Sequence, residues 1–478
     1  MPQIPFTKPF WSSDDQSNDN LSTGLWDGML EGVGDKLVLR RRPGLSLLYK
    51  VGTGDTGVQG LHFCTKANKL LIAVNGKLFV GSSSAQPVEV YSSIATTTGN
   101  VVFAEGQTLA SDPIIYIADG GVLKYYLPST NTVYTPTGVY APQSTSFVVW
   151  FANRFVANES NSNWQWLSNV TDPTSWTDPR NPFTAEAKAD NVDYVGTVNR
   201  ELYSWGKEGL EVWQEDGESP IVSVPQAFVE VGLIAPYSVV TMNETIFGLV
   251  NYHGQRSVVM SVSRQPQIIS QTIARQLGEY GDISDARAFH VQNNGAEFYV
   301  LTFPTQGETW AYDIKGDYWA KWGVWNPDAS EYDDYLGVCS AYDSNMSSYY
   351  VGSAVDGKIY IFSRSAYLDD TSTMRTEYQS GWIDHDTYFR RKRCKQLFIK
   401  SRNTELQTNT IVLRIRDDGR DVWSNDIALA ADRQGQGDFL HKLNRFGMYR
   451  ARQYSLVYTD PYNLTISEVQ EDYDMLRN

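Results

Sequence analysis

Leu70-Leu71-Ile72-Ala73-Val74-Asn75-Gly76-Lys77-Leu78-Phe79-Val80-Gly81 is an apolar strand, a two-residue turn and a second apolar strand. Asn-Gly between two apolar runs is the strongest short-range hairpin signal, because a primed turn needs positive φ at both central residues. The same phrase recurs through Ile114 to Leu127, Arg154 to Ser168, Glu201 to Gln214, Thr245 to Val262, Ala296 to Asp313 and Ser348 to Ser363. Asp119-Gly120 and Asp356-Gly357 repeat the turn signal. Successive starts lie about 40 to 50 residues apart, the period of a four-stranded propeller blade. The spacing predicts an all-β chain whose main body is a β-propeller of six or seven blades. Six is admitted because the third and fifth units have irregular turns.

Outward from the repeats the pattern changes. Trp11 to Gly24 is polar and acidic, and reads as an extended surface arm, so residues 1–36 are assigned to an N-terminal arm. Pro43-Gly44 interrupts the run Leu37 to Leu48 and predicts a turn between two short strands. The propeller is assigned to 37–375. Within it, Gln265 to Ala288 is the best candidate for one short helix between blades. From Tyr378 the strands are spaced differently, as in Cys394 to Ser401, Thr410 to Gly419 and Arg450 to Pro461. Residues 376–478 are therefore read as an appended C-terminal β-sandwich-like domain.

Composition narrows the function. The chain has 478 residues, of which 41% are hydrophobic and 13% aromatic, enough for a large β-rich core and too apolar for general disorder. A formal charge of −15 disfavours tight grip on a nucleic-acid duplex, which calls for a basic face. Three scattered cysteines, Cys64, Cys339 and Cys394, point away from a disulfide scaffold and from zinc. Met1 to Phe10 contains no apolar signal-peptide core, and no run approaches 18 apolar residues. Folding in a reducing cytoplasm is expected, and Asn169-Val170-Thr171 and Asn243-Glu244-Thr245 are then chance sequons.

No catalytic signature emerges. His62, His253, His290, His385 and His441 are isolated, with no metal-ligand spacing, and no GxSxG elbow marks a nucleophile. Asp14-Asp15, Asp333-Asp334, Asp369-Asp370 and Asp417-Asp418 invite a glycosidase reading, yet adjacent carboxylates on a turn point apart. Asp417-Asp418-Gly419 with Trp423 shows only a faint, wrongly spaced likeness to the Asp-box of sialidases. Trp150, Phe151, Trp164, Trp166 and Trp176 suit blade packing better than stacking on sugars or bases. No cofactor, metal or catalytic residue is expected. The densest basic runs, Arg40-Arg41-Arg42 and Arg390-Arg391-Lys392-Arg393 with Lys395, are candidate interfaces for an acidic neighbour, against the plainer reading of charged strand edges.

Several segments together resemble one family, the tail-nozzle proteins of short-tailed bacteriophages, also called packaged-DNA stabilisation or head-completion proteins. They are Arg42-Pro43-Gly44 after a polar arm, Asn153-Arg154-Phe155-Val156 leading to Trp164-Gln165-Trp166-Leu167-Ser168, and Asp172-Pro173-Thr174-Ser175-Trp176. Leu202-Tyr203-Ser204-Trp205-Gly206, Leu210-Glu211-Val212-Trp213 and Gly217 follow. Arg414 to Gly419, Arg445-Phe446-Gly447, Arg450-Ala451-Arg452-Gln453-Tyr454 and Asp460-Pro461 close the series. The resemblance implies a propeller with an attached β-sandwich, no bond-making chemistry, and a place in the virion tail after assembly in the host bacterial cytoplasm. It further implies a homo-hexameric ring below the portal-adaptor protein, which retains packaged DNA and guides its ejection. The implied partners are that adaptor, a tail needle or plug, tail fibre or tailspike proteins, and genomic duplex DNA in transient contact. Two other readings stay open at this point: a carbohydrate-binding or polysaccharide-cleaving propeller, and an intracellular interaction platform.

Overall fold

Leu70 to Val74 is apolar without alternation, the mark of a strand covered on both faces. Leu70, Ile72 and Val74 pack with Tyr350 and Ile359, whereas Leu71 and Ala73 pack with Ile115, Ile117 and Tyr126. One strand thus contributes to two separate cores, as a blade wedged between two neighbours must. The computed structural model describes residues 2–11, 22–33, 36–52, 54–185, 190–215, 221–262, 264–403, 409–431 and 437–476.

Among these residues, seven four-stranded antiparallel sheets form a closed ring. Blades 1 to 4 span 58–91, 102–134, 148–184 and 194–223 in sequence order. Blade 5 spans 232–268, its inner strand broken by a 3-10 turn at Pro236–Ser238. Blade 6 spans 287–322. Blade 7 joins Gly337–Asp343, Ser348–Ser353 and Lys358–Ser363 to Gly44–Lys50, a strand that precedes blade 1 in sequence. Pairing the first propeller strand with the last closes the circle, so the expectation of six or seven blades resolves to seven. Each repeat phrase is the second and third strand of one blade.

Asn75 and Gly76 have φ of 49° and 72°, the primed turn expected. The other two turn signals differ. Only Gly120 of Asp119-Gly120 has positive φ. Asp119 instead accepts from the backbone N–H of Ala95 at 2.7 Å and from Lys124 at 2.9 Å, closing a wider turn. Gly357 is required by contact, because a Cβ there would lie 2.0 Å from the Val51 carbonyl oxygen. The short helix expected within Gln265 to Ala288 is Ala274–Glu279, preceded by a strand at Gln265–Ile268.

Outside the ring, two sheets face each other. One orders Gly28–Val33, Lys36–Arg41, Leu464–Met475, Lys392–Asn403 and Gly437–Asn444, with Gln3–Ile4 added on Leu464–Met475. The other, Thr376–Gln379, Arg452–Tyr458, Asn409–Asp417 and Ile427–Ala431, continues through Gly24–Trp26 into the outer strand of blade 6. Leu397, Ile399, Ile466 and Val469 of the first pack with Ile411, Leu413, Tyr454 and Leu456 of the second.

This geometry departs from the expected partition. Residues 12–21 of the expected arm lie outside the described residues. On either side of them, Ile4, Phe6, Leu25, Met29 and Leu30 are buried in the same core as the C-terminal strands. The first and last segments of the chain therefore share sheets, a pairing across more than 400 residues that no local pattern encodes. The strands on either side of Pro43-Gly44 do not pair with each other either: one lies in the sandwich and the next in blade 7.

Candidate functional site

The residue that joins these two bodies is Arg42. It is fully buried, and its Nε donates to Asp27 Oδ1 at 2.8 Å while Nη1 donates to Asp369 Oδ1 at 3.1 Å. The guanidinium lies between the rings of Trp322 and Tyr335, each 4.9 Å away. Asp27 Oδ1 also accepts the backbone N–H of Gly323 at 3.2 Å. Burial pushes the Asp27 carboxyl up to about 6, against the opposing pull of Arg42 and with a further push from Asp369. One ion cluster thus ties the N-terminal strands, blade 6 and the exit from blade 7.

Arg41 is buried too. Its guanidinium donates to the carbonyls of Tyr367 (3.2 Å), Asp460 (2.7 Å), Met374 (3.0 Å) and Tyr458 (3.3 Å), and stacks on the Tyr458 ring. Arg40 is half-buried and pairs with Glu31 at 2.7 Å. The proposed basic interface at Arg40, Arg41 and Arg42 is therefore corrected: two of the three face inward, because desolvated guanidinium groups are here saturated by carboxylates and carbonyls.

The second basic run divides. Lys392 is buried and donates to the carbonyls of Thr387 at 2.7 Å and Arg450 at 2.6 Å, so it belongs to the sandwich and not to an exposed patch. Arg393 and Lys395 are exposed and share Asp474, at 3.1 and 2.6 Å. Arg390 and Arg391 are exposed, and neither forms an ion pair among the described residues. They follow Tyr388 and Phe389, the latter 88% exposed. An aromatic tip beside two unpaired arginines was not legible as such, since the sequence shows a basic run without its alternation of in and out.

The remaining candidates are scattered and meet partners of their own. His62 meets Glu105 at 2.9 Å, His290 meets Glu297 at 3.1 Å, and His385 meets Glu471 at 3.2 Å, each in a different part of the molecule. Asp369 and Asp370 point to different partners, Arg42 and Lys358, and Asp417 pairs with Arg452 at 2.7 Å. Trp176 is buried and donates to the Tyr116 hydroxyl at 3.0 Å. Trp150 and Trp166 pack against the core between blades 2 and 3, while Trp164 is 44% exposed. No cluster of His, Cys, Asp and Glu suited to a metal ion occurs among the described residues. Among them, too, no helix is long and apolar enough to cross a membrane.

The inner strands of all seven blades line a central channel of about 450 Å3. A volume of that size suits a small molecule, within the usual range of about 300–1,000 Å3.

A seven-bladed disc closed by an N-terminal strand, and locked by buried ion pairs to a second β-body, is a β-propeller with an appended domain. The sequence profile of the family described as bacteriophage P22 Gp10, β-propeller, matches residues 20–367, and the chain belongs to that family of phage structural proteins. Its place is accordingly the virion, in assembly with other virion proteins. No curated protein matches the chain in sequence. Solved structures similar to it include a streptogramin B lyase (9% identity, 67% of this chain and 97% of that one, TM-score 0.42). Virginiamycin B lyase from Staphylococcus aureus (8%, 66% and 97%, 0.44) and the N-terminal domain of Nup159 (12%, 71% and 98%, 0.42) are also similar. At such identities the likeness concerns the fold alone.

Proposed function

We propose that the protein is a tail-nozzle subunit that assembles as a homo-hexameric ring below the portal-adaptor, retains the packaged genome and guides its ejection, without catalysing a reaction. Membership of the phage structural family is the observation that carries this reading. The channel volume suits a small molecule rather than a polymer, so in this reading the passage for DNA is enclosed by several copies around a shared axis. Strong acidity supports the same role, because every phosphate neutralised by a basic wall adds salt-dependent affinity and would brake the moving duplex. The plug, fibre and DNA contacts named above are its proposed partners.

Copies carrying like net charge repel, so a template that offsets the entropic cost of association is part of the proposal. Electron microscopy of the purified chain, alone and mixed with its portal-adaptor complex, tests it. The expected result is monomers alone and rings on the complex. Particles assembled without the chain should package DNA and then lose it. Stable, filled particles lacking the chain would overturn the reading.

A further inference from the structure

We infer that the central channel of the disc binds a small oxyanion, a phosphate or carboxylate group gripped by Arg287. The observation is one of charge placement. Among the described residues, no Asp or Glu lines this channel. Arg287, at the start of the inner strand Arg287–Asn293 of blade 6, is the sole Lys or Arg in the lining among the described residues. In a protein of charge −15, a cavity with one cation and no carboxylate is a local inversion of the overall field.

One nitrogen of the guanidinium is also unsatisfied. Its Nε is shielded from solvent and has no hydrogen-bond partner, and no ion pair forms at Arg287 among the described residues. The titratable groups that feel its charge are the Tyr237 hydroxyl and the Cys339 thiol. Both stay neutral, since burial raises both and pushes Cys339 up to about 12. His290, also in the lining, is engaged elsewhere, by Glu297 at 3.1 Å and the Tyr349 hydroxyl at 3.1 Å. A buried donor left without an acceptor costs free energy, and a guanidinium fork is shaped for bidentate capture of a planar or tetrahedral oxyanion. Asn100, Thr197 and Thr241 supply neutral polar groups around the same space. With about 450 Å3 available, the ligand is of metabolite size.

The inference is independent of the nozzle assignment, because it concerns the folded monomer. Calorimetric titration and thermal melts of the full-length chain with inorganic phosphate, citrate and a 5′-mononucleotide test it, with chloride at matched ionic strength as the control. At least one of the three should saturate at one site per chain and raise the melting temperature. Preference for phosphate, citrate or nucleotide then separates a free phosphate, a carboxylate and a nucleoside phosphate as the source of the group. Arg287→Met should abolish binding while melting, ligand-free, at or above the wild-type temperature. Arg287→Lys, which keeps the charge without the fork, should bind at least about tenfold more weakly. If no anion saturates on the wild type beyond chloride, or if Arg287→Met binds as well as wild type, the site does not exist. Should Arg287→Met not fold, the wild-type titration and the Lys variant still decide the matter.

Discussion

Arg42 and Asp369 are 327 positions apart in sequence and meet fully buried, one at the entry to the propeller and the other just past its last blade. With Asp27 they make a two-carboxylate, one-guanidinium node without contact to solvent. Burying such a group is a net burden that only complete pairing offsets, so the node is sensitive to the loss of any member.

Arg42→Met should therefore destabilise the protein by about 3–5 kcal/mol, since it strands two buried carboxylates. Adding Asp27→Asn and Asp369→Asn should restore much of that loss. Denaturant melts of the single and triple variants check this. A triple variant no more stable than the single one would place the damage in packing against Trp322 and Tyr335 instead.

The node also has a pH signature. Asp27 carries its proton up to about pH 6 when folded, but releases it near the ordinary aspartate value of 3.8 when unfolded. Between these values the folded state binds more protons, so this group's contribution to stability falls as pH rises from about 4 to about 6. Asp27→Asn removes the titration and should flatten that part of the stability-pH curve, by up to about 3 kcal/mol relative to wild type. Parallel curves for the two proteins across this window would show that Asp27 does not titrate there.

Gly76→Val tests the hairpin that anchors the repeat. Its φ of 72° penalises a β-branched side chain, and a Cβ would come within 3.3 Å of Thr97 Cγ2. A loss on the order of 1–2 kcal/mol is expected from the left-handed conformation alone. Thermal melting measures it.

The basic run from 390 to 395 should separate into two behaviours. Arg390→Glu with Arg391→Glu, both exposed, should leave stability within about 0.5 kcal/mol of wild type while reducing incorporation into particles. Lys392→Glu should unfold the sandwich, because it buries a carboxylate against two carbonyl oxygens. Wild-type incorporation of the double Glu variant would make the Arg390-Arg391 tip an ordinary solvated loop.

The propeller was readable from residue order because each blade is local. Leu70 to Gly81 contains its own strand, turn and returning strand, and the period repeats within about 50 residues. Composition likewise weighed against a basic DNA-gripping face and pointed away from a disulfide scaffold. What tertiary structure alone decided is everything that depends on which distant strands meet. The N-terminal residues around Leu25 and Leu30 looked like the end of a polar arm, and became core because Tyr378 and Leu456 cover them from the other end of the chain. Arg41 and Arg42 looked like surface charge, and became interior because Asp27, Asp369 and four carbonyls converge on them. Arg287 carried no signal at all, since a channel exists only when seven inner strands close a ring. Periodicity records the environment along one strand; burial of charge records the company brought from elsewhere, and that is set by ring closure rather than by any local run of residues.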